Sequence, residues 1–540
     1  MSDAQIVDTA VPSRGEESSS RGSIARSAGI IGLGNVASRV LGLVRESVIA
    51  AFFGTSPVAN AFVVASQVPT LIYDLLIGGL LSSALVPVFS EYASRDDDNA
   101  SLWQLASTFI TMVAVLLAGL TVLVFLFAPQ IALIMVPGYS EELRAATATL
   151  IRFISPSIFF FGLSGVFTGL LFALKRFHFA AFAAAIYNLG IIIGAVFLSR
   201  AFEGDARIIG LALGIFLGSV LQLSLLLPDL RDAKLFLQLR AFWRDPGVRR
   251  IVKLYVPIGV SVVVASIGVI LDRELASSTE AHQTITWMRY ATTLIQFPLG
   301  LVAAAVSLAV LPDLSRFSAL DDMRGYRRTL QTGLRMVLVL IVPATVGLFV
   351  LAPPIVSLLF ERGEFVAHDT FWTARALRVY LLGLTFAAID QVLIIAFYAR
   401  QNTLTPAVVG IGAIGIYLVV ALPLLEPLQM LGLVFANSVQ HFSHAIIMLV
   451  LLQRHLGGLT GGGMHRMVPR VLLASLGMGA MVWLTTLAAG SLQPGFVGKL
   501  LAVLIPALVG LATYALFVLL LQIEEAQELM RLVLRRIRPS

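Results

Sequence analysis

The segment Ala84-Leu-Val-Pro87-Val-Phe-Ser90-Glu-Tyr-Ala-Ser94 recurs, 225 residues later, as Ala309-Val-Leu-Pro312-Asp-Leu-Ser315-Arg-Phe-Ser-Ala319. A weaker echo at the same offset pairs Phe172-Ala-Leu-Lys-Arg176 with Phe397-Tyr-Ala-Arg-Gln401. Each copy of the stronger motif closes a long apolar run and opens a polar stretch, so it marks the same point in two related halves. The residues between the matches form runs of about 20 or more that are apolar on every face. A hydrocarbon core about 30 Å thick needs roughly 20 residues of helix, whereas barrel strands alternate in polarity. The fold expected is therefore an all-α membrane protein built from two pseudo-symmetric lobes.

Composition agrees. Of 540 residues, 58% are hydrophobic and only 13% charged, with mean hydropathy +0.90, where a soluble domain carries about a quarter charged residues. The chain has no cysteine, which excludes a disulfide framework, a thiolate nucleophile and a cysteine-based metal or iron–sulfur site. The net charge of +7 is not a nucleic-acid signature, because Lys and Arg fall mostly in the gaps between apolar runs, where they set topology.

Fourteen runs are long enough to span: about 28–53, 58–86, 102–128, 148–173, 180–200, 207–228, 251–276, 286–311, 328–352, 371–399, 405–425, 430–453, 467–489 and 497–521. The run Pro353–Phe365 is too short and is expected at an interface. With the N-terminus inside, the tails and inner connections hold 25 Lys and Arg and the outer connections 6. Both termini are thus expected in the cytoplasm of a bacterial inner-membrane protein. Residues 1–27 lack an apolar segment and read as a disordered cytoplasmic tail. The lobes are then 28–228 and 251–455, joined by a basic linker, 229–250. Residues 456–540 add two helices and a basic tail. Both halves start on the same side, so their pseudo-axis lies along the membrane normal, an arrangement that places a site between halves that rock for alternating access.

Charge inside a span costs at least about 2.5 kcal/mol and normally faces a cavity or a partner. The first span carries Asn35, Arg39, Arg45 and Glu46. Arg39 and Arg45 stand roughly 9 Å and about 120° apart on a helix, so both can line a wide cavity. One reading is a cation pair for an anionic headgroup, since guanidinium grips phosphate oxygens in pairs. The other is that Arg45 pairs with an acid of a neighbouring helix while Arg39 packs. Asp74, beside Tyr73, and Asp390 are candidates to partner these arginines, to take a proton, or to form structural pairs. Asp272 lies near a helix end and reads as solvated, Arg375 and Arg378 as snorkelling, and His441 and His444 as polar packing. No phosphate loop, His-Glu-x-x-His or nucleophile elbow is present, and no metal or cofactor is expected. The chemistry is that of a transporter, not an enzyme.

Ser38-Arg39-Val-Leu-Gly42-Leu-Val-Arg45-Glu46 resembles the signature near the start of the MurJ (MviN) lipid II flippases. In the same order follow Phe53-Gly54, Asn60-Ala-Phe62, Val68-Pro69, Ala84-Leu-Val-Pro87, Pro137-Gly138-Tyr139, Phe297-Pro298-Leu-Gly300, Glu361-Arg362-Gly363-Glu364-Phe365 and Phe397-Tyr398-Ala-Arg400-Gln401. The two extra C-terminal spans fit that family, while multidrug exporters of the same superfamily usually stop at twelve. The resemblance implies a cavity between the lobes, Arg39 and Arg45 as ligands of an undecaprenyl-pyrophosphate saccharide, and a groove on the last two spans for the lipid tail. It also implies contact with membrane lipids and with cell-wall synthesis proteins. In that cavity the family often has an acid at the position of Asn60, an arginine at Tyr73, a glutamate at Gly78, an Asp-Arg pair at Thr292-Thr293 and a glutamate at Gln296, so that Asn35, Asn60, Tyr73, Asp74 and Gln296 are expected with the arginines among the substrate-binding residues. Arg289, one turn before Thr293, is a candidate to replace the missing arginine. Some members hold sodium between carboxylates of spans 7 and 11, but Thr405–Leu425 contains no acid. Three functions follow as alternatives: a lipid II flippase, a flippase or exporter for another polyprenyl-linked saccharide or amphipathic substrate, and a transport-inactive cell-wall scaffold.

Overall fold

The computed structural model describes residues 14–78, 84–96, 98–236, 245–458, 463–489 and 495–537. The first lobe comprises α1 (Arg14–Phe53), α2 (Pro57–Tyr73), α3 (Val86–Ala93), α4 (Ala100–Leu126), α5 (Ala128–Met135), α6 (Glu141–Ile154), α7 (Pro156–Ala173), α8 (Ala183–Val196) and α9 (Arg207–Leu226). The second comprises α10 (Pro246–Ser277), α11 (Thr284–Pro298), α12 (Ala304–Ala319), α13 (Met323–Phe360), α14 (Ala367–Ala399), α15 (Leu404–Leu428) and α16 (Met430–Leu456). After these come α17 (Met464–Ala489), α18 (Phe496–Leu520) and α19 (Glu524–Ile537). Several starts are set locally. Ser56 accepts from the Ala59 amide ahead of Pro57, and Asp245 accepts from the amides of Gly247 and Val248 ahead of Pro246. These pair an N-cap acceptor with proline at the first helical position.

Among the described residues, twelve helical stretches are long and apolar enough to cross a membrane. The two further expected spans lie in α1 and α10, the first helices of the lobes, and these carry Arg39, Arg45, Glu46, Asp272, Arg273 and Glu274. Together they make the fourteen. The repeat acquires a structural counterpart: a π-helical turn interrupts the second span of each lobe, at Asp74–Gly78 and at Leu299–Ala303, again 225 residues apart. Such turns sit mostly at functional positions, because they break the helical hydrogen-bond ladder and re-aim side chains.

Some boundaries differ from expectation. Helix α1 begins at Arg14, inside the tail read as disordered; residues 1–13 lie outside the described residues, as do Gly79 and 237–244 of the linker. Pro353–Phe360 continues α13 as helix, since prolines in a long helix are tolerated where neighbours pack around them. The span expected at 148–173 is α6 and α7 meeting at Ser155-Pro156, where proline removes a ladder donor. The basic C-terminal tail forms α19.

One buried cluster runs through both lobes. A second joins Leu338, Val339 and Val342 of α13 to Met467 and Val471 of α17 and Val518 of α18, so the C-terminal pair is an appendage of the second lobe. Helices α8 and α9 approach closely: a Cβ on Gly190 would lie 2.2 Å from the Gly218 Cα, and one on Gly194 2.4 Å from the Gly214 Cα. Helix α10 runs between the lobes, touching α3, α4 and α5 on one side and α11, α15 and α16 on the other.

Candidate functional site

The lobes are latched at the end where α1 finishes. Asn60, fully buried, accepts at Oδ1 from the Thr286 amide (3.1 Å) and hydroxyl (2.6 Å) of the other lobe. Its Nδ2 donates to the carbonyls of Thr55 and Ser56. Asp369 Oδ1 accepts from Thr55 Oγ1 (2.6 Å) and Trp287 Nε1 (3.0 Å). Backbones also meet: the Glu364 amide donates to the Ala51 carbonyl at 3.0 Å. Gly54 (φ +55°) and Gly363 (φ +60°) allow this, since a Cβ on either would fall within 2.5 Å of a carbonyl oxygen of the facing lobe.

Below the latch, α1 places Arg45 and Glu46 about 12 Å from its Phe53 end. Glu46 is 1% exposed. Its carboxylate accepts from Arg45 at 2.5 Å and from Arg289 of α11 at 2.8 and 3.0 Å, so the ion pair crosses between lobes. Arg45 Nη1 also donates to Asn188 Oδ1 (2.8 Å), while Asn188 Nδ2 donates to the Ser38 carbonyl (3.1 Å), clamping α8 to α1. Arg289 Nη1 donates to Ser66 Oγ at 3.2 Å. These bonds engage three of the five N–H donors of each guanidinium. From α10, Arg273 Nε donates to Gln67 Oε1 (2.9 Å), while its Nη1 is buried without a partner. Arg45, Glu46, Arg273 and Arg289 line a 390 Å³ cavity with Ser66, Gln67 and Tyr187. Three cations face one anion there. Removing these charges from water costs several kcal/mol each, offset by the shared carboxylate, and what remains is an excess of oriented donors suited to phosphate.

The expected site residues divide. Arg45 and Arg289 meet in this cavity. Arg39 lies about 9 Å further along α1, half-buried, its Nη1 donating to the Gln296 carbonyl (3.1 Å) and its guanidinium lying over Gly300 in the second π turn. Gln296 lines an adjoining 360 Å³ cavity with Asp272, Arg273, Asp390 and His441. Tyr73 stacks on Phe161 (4.1 Å), which stacks on Tyr187 (4.9 Å). Asn35 and Asp74 are exposed, and Asn60 belongs to the latch. Two residues read as bland, His444 and Asp272, are engaged otherwise, and Asp390 meets His444 rather than a first-span arginine. His444 Nδ1 lies 2.7 Å from Asp390 Oδ1, and Asp272 accepts from the Tyr417 hydroxyl at 2.8 Å. These line a 480 Å³ cavity walled mainly by the second lobe, which Arg273, His441 and Gln67 of α2 also reach. Asn188, Ser66 and Gln67 were missed, although a lone Asn in the apolar run 180–200 was a usable signal.

The sequence matches the family model described as Lipid II flippase MurJ over residues 49–505. The chain belongs to the MurJ lipid II flippase family. It is 32% identical over 476 residues to the probable lipid II flippase MurJ of Haemophilus influenzae, covering 83% of this chain and 89% of that one. It is 33% identical over 384 residues to the lipid II flippase MurJ of Burkholderia cenocepacia, covering 70% and 73%. Among solved structures it resembles one described as lipid II flippase MurJ, inward closed conformation, with TM-score 0.74, 25% identity, and 90% and 97% covered. An inward-facing multidrug resistance MATE family transporter of the MOP superfamily shares the fold, with TM-score 0.64 at 15% identity. Within the MurJ family this chain is thus a transporter-type protein whose cavity arginines come from α1, α10 and α11.

Proposed function

We propose that this chain flips lipid II across the bacterial cytoplasmic membrane by alternating access. The observation that carries it is the Glu46-centred cluster: a carboxylate that holds guanidiniums of both lobes around a cavity leaves donors for a pyrophosphate and ties substrate binding to the seam that must open. Arg45, Arg273 and Arg289 are the headgroup ligands, with Arg39 at the cavity's lower approach. The Lys and Arg distribution supports both termini in the cytoplasm, and in that topology the Asn60–Thr286 latch closes the outward side. The undecaprenyl tail would lie in the membrane beside α17 and α18, whose outer surfaces expose Leu476, Leu484, Leu508 and Leu511.

The test is complementation of a strain depleted of its own lipid II flippase. The unaltered chain restores growth, and an Arg45→Ala, Arg289→Ala double variant that is inserted at normal level does not. Failure of the unaltered chain, correctly inserted, would overturn the assignment.

A further inference from the structure

The substrate cavity leaves one set of buried ionisable groups without a role, the set in the second lobe. We propose that the Asp390–His444 pair of α14 and α16 binds a proton linked to substrate binding, a reading that rests on the flippase assignment above. The side chains are each 11% exposed and 2.7 Å apart. They face a 480 Å³ cavity, room for more than ten waters at about 30 Å³ each, so a proton can arrive through water. An apolar pair would pack α14 on α16 without the insertion cost of two ionisable groups.

Asp390 Oδ1 faces Nδ1 at 2.7 Å, and Nε2 lies on the side of Gly410 of α15. An imidazolium carries two N–H donors and a neutral ring one; Asp390 accepts from Nδ1, and Nε2 faces the side where the cavity and α15 meet. Gaining the proton takes the pair from one negative charge to none. The groups facing it are Asp272 and Arg273 from α10, Tyr417 from α15, His441 from α16 and Tyr398 from α14. Helix α11 presents Thr292 and Gln296, which do not titrate, and α13 brings Tyr326 only to the Ala396 carbonyl.

A metal ion fits less well. Among the described residues no group of three or more His, Asp or Glu is arranged to hold one, and Asp272 is occupied by Tyr417. The link to substrate is Arg273, which lines the 480, 360 and 390 Å³ cavities alike. With the pair deprotonated, its negative charge competes for this guanidinium. With the proton bound, Arg273 is free to face the substrate anion. By reciprocity, substrate then raises proton affinity as much as the proton raises substrate affinity.

The test uses the full chain in proteoliposomes, with membrane potential clamped at zero and a gradient of one pH unit. One linked proton shifts the distribution of labelled lipid II between leaflets by up to about tenfold. Asp390→Asn and His444→Gln should abolish the shift while lipid II still equilibrates without a gradient. A shift retained in both variants, or a shift produced by a sodium gradient at equal pH, overturns the proposal. So does an unaltered chain that equilibrates lipid II yet ignores the pH gradient, a result that leaves the flippase reading intact. If no lipid II moves at all, the flippase reading fails, and proton uptake between pH 8 and 5 by the detergent-purified protein decides the site. The unaltered chain taking up one proton more than His444→Gln upholds it, and equal uptake overturns it.

Discussion

The seam between the lobes is built differently at its two ends. At the end where α1 finishes, which the proposed topology puts on the outward side, Asn60 and Asp369 are buried acceptors whose donors across the seam are uncharged, reinforced by backbone contacts through Gly54 and Gly363. At the end where α10 starts, inward in the proposed topology, Glu91 takes Arg95 from its own lobe and Arg250 from α10 at 2.5 Å, with Arg250 53% and Glu91 40% exposed. Exposed ion pairs are weak and screened by salt, whereas buried hydrogen bonds are costly to leave unmade. The two closures should therefore respond to different perturbations, with the guanidinium cluster between them.

The largest effect is expected where both lobes share one buried charge. Glu46→Ala leaves Arg45 and Arg289 facing each other without their anion and should cost about 3–5 kcal/mol, read from thermal melting of the purified protein. Adding Arg289→Met should recover part of that loss, and additive losses would show that the cluster is not a unit. Next is Asn60→Ala, which strands the Thr286 amide and hydroxyl at about 1–3 kcal/mol. Because the chain has no cysteine, a Thr70→Cys probe on the cavity wall reports this directly: labelling from outside by an impermeant reagent should rise roughly tenfold per 1.4 kcal/mol lost.

Gly190→Val is the control within a lobe. It forces α8 from α9 and should cost about 1–3 kcal/mol of stability without changing outward labelling of Thr70→Cys. The smallest effect belongs to Arg250→Ala: no measurable change in melting, but loss of the salt dependence of labelling from the inward side. An equal response of both closures to salt would erase the contrast.

The sequence disclosed the spans because apolar runs and the Lys and Arg bias are properties of single helices. It disclosed the repeat through Pro87 and Pro312, yet not the paired π turns, which carry no composition signal of their own. Arg45 was legible as a charge in an apolar run. Its carboxylate partner was visible too, one residue on, but that Glu46 would be shared with Arg289, 243 positions away, depends on how α1 meets α11. Asn60 was read as a cavity residue because a polar side chain in a span has two possible destinations, a site or a helix contact, and only packing chooses. Asp390 and His444 pair because α14 lies on α16.

The central claim, that the cavity between the lobes carries lipid II, is tested most directly by reconstituting the chain in liposomes and following protection of labelled lipid II, with a simpler polyprenyl-linked sugar as comparator. The account predicts movement of lipid II that falls when Arg45 or Arg289 becomes Ala, by the factor matching about 1.5–3 kcal/mol for a charge-assisted contact, with partial rescue by Lys because the ammonium lacks the planar fork. Movement of the comparator without lipid II, or lipid II movement indifferent to both arginines, would contradict it.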